Sequence, residues 1–456
     1  MFWLDLAPLK NKMIINFKKI AKTPLRKKAL LIASAGYEAI DIQKSIKQKI
    51  KIKNEVLEVL STTTRRSKQN TVKISLKGHK RVFIIGTGKG SALASLTLAK
   101  VLGKYLTGGI FLDTIKLNPK PYALKAFRGT HPLSSSQNIR ATQKIIKLAK
   151  SLKKDDLLVT FICGGGSALF CSSEKELNAS KTVFKKLTEA GANILELNTV
   201  RKHISEIKGG GLAKIAYPAT VISLVASDVL GDDLSMVASG PTVFDKTTKK
   251  DAEKILRNYN LRSTTNNLQL LETPKDKKYF KEVKNILFVS NRDAISAMAK
   301  KSQKLGLKPK IYSYSIGGEA KESLNPLIKR IRNKESVLAA GETTVLLKGL
   351  EVRNGKLGKG GRNTESVLGA LVNSSPISHL SSLLIISFAS DGHDNTEAAG
   401  AIGDSLTIEK AKKLKLDPEK FLEEHDSFNF FKKTGDLIFV DKTSFNVSDL
   451  MVVLKK

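Results

Sequence analysis

The chain has 456 residues, 41% hydrophobic and 6% aromatic, more than one hydrophobic core ordinarily holds and too apolar for a disordered chain. Lysine and arginine number 78 against 42 acidic residues, a formal charge of +36, and such a field draws anions of every kind. The basic residues are nevertheless scattered, with no aromatic-interleaved ribbon and no RNP, zinc-finger or helix-turn-helix pattern, so solvated lysine faces take precedence over a dedicated nucleic-acid site.

The length predicts two domains, with the cleft between them as the place for a small-molecule site. Two cysteines, Cys163 and Cys171, make no disulfide framework and pair with no histidine at zinc spacing, which suits a reducing cytoplasm. No run of about 18 apolar residues suggests a membrane span.

In chain order, Lys27-Lys28 followed by Ala29 to Ala35 faintly echoes a signal peptide. The run is short and continues with helical periodicity into Gly36-Tyr37-Glu38-Ala39-Ile40, so a first domain helix is expected, with Met13 as well as Met1 a candidate start. The first sixty or so residues read as helices. Arg81 to Ile85 is a short β-branched run, followed by the turn Gly86-Thr87-Gly88-Lys89-Gly90-Ser91 and an apolar helix from Ala92 to Leu102, one βα unit. The turn is no P-loop, since Phe83 and Gly90 stand where glycine and Ser or Thr are needed. It is an incomplete dinucleotide fingerprint, with Ser91 in place of the third glycine although Asp113 is spaced for the ribose acid. What remains is either a lysine offered to an anion at a helix N-terminus or a tight turn with an exposed lysine.

The unit recurs. Asp156 to Ile162 leads into Cys163-Gly164-Gly165-Gly166-Ser167 and a helix from Ala168, where three glycines suit either a phosphate cradle or close strand–helix packing. Ala219 to Val225 leads into Ser227-Asp228-Val229-Leu230-Gly231-Asp232-Asp233 and then Ser239-Gly240-Pro241-Thr242. Phe244 to Lys284 is lysine-rich and apolar-poor, which reads as helix, linker and domain boundary. A second α/β region follows, with strands expected at 286–290, 310–314, 336–340, 383–388, 435–440 and 450–454. Within it, Gly358-Lys359-Gly360-Gly361-Arg362-Asn363 is a cationic loop opening a helix, its arginine able to grip a carboxylate or phosphoryl group bidentately, or else a solvated linker. Asp391-Gly392-His393-Asp394 places a second pair of carboxylates past a strand, as Asp228, Asp232 and Asp233 do earlier. Such clusters serve magnesium–nucleotide chemistry, although each alone is more often a turn or helix cap. Repeated βα units predict a doubly wound sheet with ligands beyond the carboxyl ends of its strands.

These stretches, together with Glu196 to His203, Ser290 to Ala294, Gly341 to Thr344, Ala398 to Ala401 and Asp426 to Leu450, resemble in order the glycerate 2-kinases that carry a C-terminal MOFRL domain, once often labelled hydroxypyruvate reductases. The resemblance implies a Rossmann-like doubly wound N-terminal domain over residues 27–262. It implies a smaller mixed α/β C-terminal region over 283–456, including the MOFRL domain at about 334–450, and an active site in the interdomain cleft. It further implies transfer of the ATP γ-phosphoryl group to the 2-hydroxyl of D-glycerate with Mg2+ or another divalent cation. A cytoplasmic location is expected, with no specific nucleic-acid or membrane partner, and monomer and homodimer both stay open.

Residue by residue, the resemblance makes Lys89 and Arg362 catalytic. It gives substrate or nucleotide binding to Gly86, Gly88, Gly164, Gly165, Gly166, Ser167, Asn198, Arg201, Lys202, Asn291, Glu342 and Asn363. From the carboxylate clusters, metal binding is expected of some of Asp228, Asp232, Asp233, Asp391 and Asp394. The chain departs from the family pattern at Leu133-Ser134-Ser135-Ser136, where a proline and an acid are usual, at Gly211, often arginine, and at the shortened Asp394-Asn395-Thr396-Glu397. The rival readings are an NAD(P)H-dependent hydroxypyruvate reductase and a basic nucleic-acid-binding protein.

Overall fold

Continuous aliphatic runs in this chain become strands buried on both faces, as parallel sheets require. A computed structural model describes residues 13–62, 70–261, 269–347, 358–374, 381–441 and 445–456; Met1 and the expected boundary at residue 262 lie outside them. One compact unit is Ile42–Ser290; the other joins the chain up to Asp41 to Asn291–Lys456.

The first unit opens with an antiparallel meander, β1 (Ile50–Lys53), β2 (Val56–Leu60) and β3 (Thr71–Ser75). This corrects the expectation of helices through residue sixty: Ile46 and Ile50 keep a helical spacing, but Ile50-Lys51-Ile52-Lys53 alternates with period two and pairs as a strand. Six parallel strands follow, β4 (Arg81–Thr87), β5 (Leu106–Asp113), β6 (Leu124–Arg128), β7 (Asp156–Ile162), β8 (Thr220–Ala226) and β9 (Val283–Val289). Their order is β6-β5-β4-β7-β8-β9. Counted in chain order this is three-two-one-four-five-six, the doubly wound arrangement, and it reverses direction between β4 and β7. Phe83, Ile85, Ile110, Leu112 and Leu158 form the core under one face with Ile145 and Leu212 from the covering helices.

The other unit holds a mixed sheet of β10 (Lys308–Ile316), β11 (Glu335–Gly341), β12 (Leu383–Ala389), β13 (Gly400–Asp404), β14 (Leu437–Ile438) and β15 (Asp449–Lys455), in the order β10-β11-β15-β12-β13-β14. The last strand enters antiparallel between β11 and β12. The helix Pro24–Ile40 belongs to this unit: Gly36 lies against Met298 of the helix Asn291–Lys304, where a Cβ would come within 2.8 Å of the sulfur. Its Arg26, fully buried, donates to Asp404 at 2.6 and 2.8 Å and to Asp436 at 2.6 Å. A buried guanidinium is tolerable only when satisfied in this way.

The units therefore divide the chain differently from residues 27–262 and 283–456. The first helix leaves the N-terminal part because its apolar face and Arg26 find partners in the C-terminal sheet. The strand after the lysine-rich stretch closes the parallel sheet as β9, and its expected start at 286 moves to Val283. That stretch is stitched into the unit rather than linking two: Leu271 N–H donates to His203 O at 2.6 Å and Thr273 Oγ1 to Asp245 at 3.2 Å. The strand expected at 435–440 is reduced to Leu437–Ile438, while β5, β6 and β13 were not expected.

Candidate functional site

The turn after β4 is closed upon itself. Lys89 N–H donates to Gly164 O at 2.8 Å and Ser91 N–H to Gly88 O at 3.2 Å. Gly90 and Ala92 N–H both donate to Asp113 Oδ2 at 2.9 Å. Asp113, at the end of β5, thus occupies the N-terminus of the helix Ser91–Leu102, and burial holds its carboxyl above the ordinary range despite those donors. Of the two readings of this turn the structure takes the tight turn with an exposed lysine: Asp113, spaced for a ribose acid, instead caps the helix end. Gly88, at φ +109, packs where a side chain would collide with Cys163 O, and Gly86 where one would collide with Ser95 Oγ. Both glycines serve packing. The Lys89 side chain is exposed and, among the described residues, meets no carboxylate.

The turn after β7 is open. Gly166 N–H donates to Cys163 O at 3.2 Å, but the amides of Gly164, Gly165 and Ser167 have no acceptor among the described residues. A Cβ on Gly164 would collide with Asp228 Oδ2, one on Gly166 with the Ala238 methyl, and one on Gly165, at φ +81, would sit 3.2 Å from both His131 Cδ2 and Lys89 Cγ. Ser167 Oγ lies 3.0 Å from Ser239 Oγ, which donates to Asn198 Oδ1 at 2.8 Å. Ala238, Ser239 and Gly240 all have positive φ, 51°, 59° and 61°, and two non-glycine residues held this way mark stored backbone strain.

Asn198, Arg201 and Lys202 share one face of the helix Ile194–His203. Lys202 is corrected from ligand to structure: it is buried and paired with Asp245 at 3.1 Å. Arg201 stacks on Phe184, 4.7 Å from ring centroid to guanidinium, without a carboxylate partner among the described residues, and burial lowers its pKa. It remains a cation open to an anion.

In the other unit, Arg362 heads the helix Arg362–Asn373. Its Nε and Nη2 donate to Asp449 at 2.5 and 3.3 Å and its Nη1 to Glu342 at 2.7 Å. Burial opposes the charge, but the two carboxylates outweigh it and hold the guanidinium above its ordinary pKa. Burial lifts the Asp449 carboxyl to about 7, although Arg362 pulls it down. Glu342, expected as a ligand, is here the exposed partner of Arg362.

Asp394 accepts from Asn363 N–H at 2.9 Å and Nδ2 at 3.1 Å, and from Thr364 N–H at 2.8 Å and Oγ1 at 3.1 Å. Four donors spend both oxygens on a helix cap, so Asp394 leaves the metal set and Asn363, which also accepts from Ser387, leaves the binding set. Asn291 is buried and donates to Tyr314 O and Ser448 Oγ, each at 3.0 Å, while its Oδ1 lacks a partner among the described residues.

Among the described residues no three His, Cys, Asp or Glu side chains converge as a metal cage. Asp233 closes a turn on Ser235 N–H at 2.9 Å and Asp391 one on His393 N–H at 3.0 Å. Asp228 differs, lying against the open turn after β7, with Asp232 on the same loop. One or two carboxylates beside this open turn are a donor set of the kind a magnesium ion brought in with a nucleotide would use. Sequence reasoning missed His131, which the loop after β6 brings to Gly165; its only signal was the Gly129-Thr130-His131-Pro132 turn.

A family model described as a domain of unknown function, DUF4147, matches residues 28–272, and the MOFRL family model matches 335–449. The chain is 30% identical over 452 residues to the glycerate 2-kinase of Pyrococcus horikoshii, covering 94% of this chain and 97% of that one. It is 32% identical over 394 residues to the D-glycerate 2-kinase of Thermotoga maritima, covering 82% and 90%. The crystal structure of glycerate kinase from Thermotoga maritima superposes with a TM-score of 0.80 at 28% identity, covering 95% and 99%.

Proposed function

The chain belongs to the glycerate 2-kinase family built from DUF4147 and MOFRL domains, and from that premise we propose that it transfers the γ-phosphoryl group of ATP to the 2-hydroxyl of D-glycerate, releasing 2-phosphoglycerate and ADP. The observation that carries the reading is the pairing at the sheet's reversal point: an exposed Lys89, without a carboxylate partner among the described residues, beside three amides on Gly164, Gly165 and Ser167 without an acceptor among them. A cation and free N–H donors are what a migrating phosphoryl group requires, since catalysis of phosphoryl transfer rests on positioning and charge.

In this reading the amides of Gly164, Gly165 and Ser167 hold phosphate oxygens and Lys89 neutralises the group in flight. Arg201 supplies a second cation in the same unit. Arg362, oriented by Asp449, is the candidate catalytic cation of the other unit. Asp228, with Asp232, holds magnesium, which when bound supplies charge neutralisation at the phosphates. The protein works in a reducing compartment such as the cytoplasm: Cys163 and Cys171 are both free and buried, and no helix among the described residues is long and apolar enough to cross a membrane.

A nicotinamide-dependent reductase is disfavoured because Asp113 already fills the helix end where a dinucleotide's pyrophosphate would sit. The test is a coupled assay with ATP, magnesium and D-glycerate, with NMR resolving 2-phosphoglycerate from 3-phosphoglycerate. ATP-dependent formation of the 2-phosphate is expected; NADH oxidation by hydroxypyruvate without it would overturn the assignment. Tight nucleic-acid binding that persists at moderate salt would instead favour the basic-protein reading.

A further inference from the structure

Lys89, the open amides and the magnesium-binding acids leave the proton of the acceptor hydroxyl without a destination. Among the described residues the carboxylates found near the Lys89 turn are Asp113, spent on capping the helix that follows, and Asp228, assigned to metal, and the acids spaced like candidates elsewhere serve as caps or turns. A titratable side chain at this place, His131, stands unused. Its loop is pinned to the β7 turn, with Ser134 Oγ donating to Ala168 O at 2.6 Å and Asn138 Nδ2 to the same oxygen at 3.0 Å. Asn138 also holds the loop itself, accepting from Thr130 N–H at 2.9 Å and donating to Thr130 O at 3.1 Å. Gly129 leaves no room for a side chain against Leu169, so the loop lies close on the short helix Gly166–Leu169. The ring is thereby delivered to Gly165, with Nε2 3.4 Å and Cδ2 3.2 Å from where a Cβ on that glycine would stand, and Lys89 Cγ 3.2 Å from the same point. Among the described residues neither ring nitrogen has a hydrogen-bond partner.

We propose that His131 is the general base of the kinase reaction, taking the proton of the acceptor hydroxyl while Lys89 and the open amides hold the phosphoryl group. This rests on the kinase reading. The hydroxyl proton passes to His131 Nε2 as the hydroxyl oxygen forms its bond to the γ-phosphorus. The bond from that phosphorus to the β–γ bridging oxygen breaks, its electron pair leaves with ADP, and the imidazolium then gives the proton to water. Among the described residues the charged group that acts on the ring is Lys89 on the β4 turn, while Asp228 lies against the neighbouring Gly164. His131 is exposed, but partial desolvation against the turn and the Lys89 ammonium push the imidazole down to about 4, so the free protein presents it neutral and able to accept. Anionic phosphates arriving at Lys89 offset that ammonium and raise the basicity of the ring when the base is needed.

The experiment compares wild type with His131→Asn and His131→Ala under the same assay. Turnover is expected to fall about 10²-fold or more in both, with each KM within about threefold, the scale for losing a positioned base. Far-UV circular dichroism should be unchanged, and added imidazole should partly restore His131→Ala. A kcat within about fivefold of wild type, or a loss confined to KM, overturns the proposal, as the first would show no base lost. So does an acid limb of the pH–rate profile that vanishes in Asp228→Asn but survives in His131→Asn. The ring proton resonance absent from the His131→Asn spectrum gives a readout without turnover. It should shift on addition of ATP; a resonance that ATP leaves unmoved overturns the role of His131 even where wild type phosphorylates glycerate. A wild type that phosphorylates nothing, with that resonance still moving, overturns the kinase reading instead.

Discussion

After β4 the amides of Lys89, Gly90, Ser91 and Ala92 all find acceptors inside the protein, and the lysine head is left to solvent. After β7 the amides of Gly164, Gly165 and Ser167 find none among the described residues, and no cation belongs to the turn. Both turns are glycine-rich and both stand where the sheet reverses, yet one is a rigid mount for a charge and the other a bare set of donors. The difference comes from the acid at the end of the next strand: Asp113 reaches back to fill the first helix end, whereas Asp228 packs beside the second turn and leaves its amides open. The other unit repeats the first design, with Asp394 capping the helix that Arg362 heads. There the cation is not left to solvent but gripped by Asp449 and Glu342.

If the Lys89 turn is only a mount, removing the charge should destroy catalysis and spare the fold. Lys89→Ala should lower kcat by about 10²-fold or more, the scale for one electrostatic stabiliser, with an unchanged melting temperature. Near-normal turnover would remove Lys89 from the chemistry.

If the β7 turn is the phosphate cradle, Gly165→Ala should act through nucleotide binding. Alanine in the left-handed region costs about 1–2 kcal/mol, and the methyl would stand 3.2 Å from both His131 and Lys89. The expected result is about a tenfold rise in KM for ATP, since 1.4 kcal/mol is one decade, matched by weaker ADP binding in calorimetry. An unaltered KM would mean the open amides face no phosphate.

Removing the acid that separates the two designs should tell more on stability than on rate. Asp113→Ala strands two buried helix amides and should cost about 1–3 kcal/mol, read as a lower denaturant midpoint, with kcat changed only a few-fold. The charge has its own signature. Burial raises the Asp113 carboxyl above its ordinary 3.8, so the folded protein binds that proton more tightly than the unfolded chain. Its contribution is complete below 3.8 and is lost as pH rises through the raised value. Asp113→Asn, which keeps an acceptor oxygen, should flatten that part of the stability–pH curve; an identical slope would show the carboxyl titrates normally.

Legibility in the sequence followed burial and local chemistry. β7 and its turn stand out because seven consecutive buried residues end at three glycines. β5 does not, with Gly108-Gly109 interrupting its apolar run, nor does β6, whose edge position leaves Lys125 and Arg128 exposed. The link of β9 to β8 is non-local, so the strand itself was readable but its sheet was not. Lys89 and Arg362 were singled out by resemblance and their roles are proposals, and spacing cannot distinguish an acid that binds metal from one that caps a helix, which is why Asp394, here a cap, was placed among the metal candidates. Lys202 failed for the same reason, since its partner Asp245 lies on another segment of the unit.

The gentlest test concerns the clamp on Arg362. Glu342 is 44% exposed on its side chain while Asp449 is 1% exposed, so the two carboxylates hold the guanidinium with unequal strength. The buried one orients it along two nitrogens; the exposed one covers Nη1, the donor an incoming anion would use. An exposed ion pair is worth about 0–1 kcal/mol, hence Glu342→Gln should lower the KM for the anionic substrate by no more than about fivefold, with kcat nearly unchanged. Had Glu342 been a substrate ligand, the same change would raise KM. The sign of that small shift therefore decides whether Glu342 is a placeholder for the anion or a contact to the substrate. The buried partner gives a control: Asp449, its carboxyl lifted to about 7, is ionised above that value and neutral below it. Orientation of Arg362, and with it kcat/KM, should weaken as pH falls through 7 in wild type and Glu342→Gln alike.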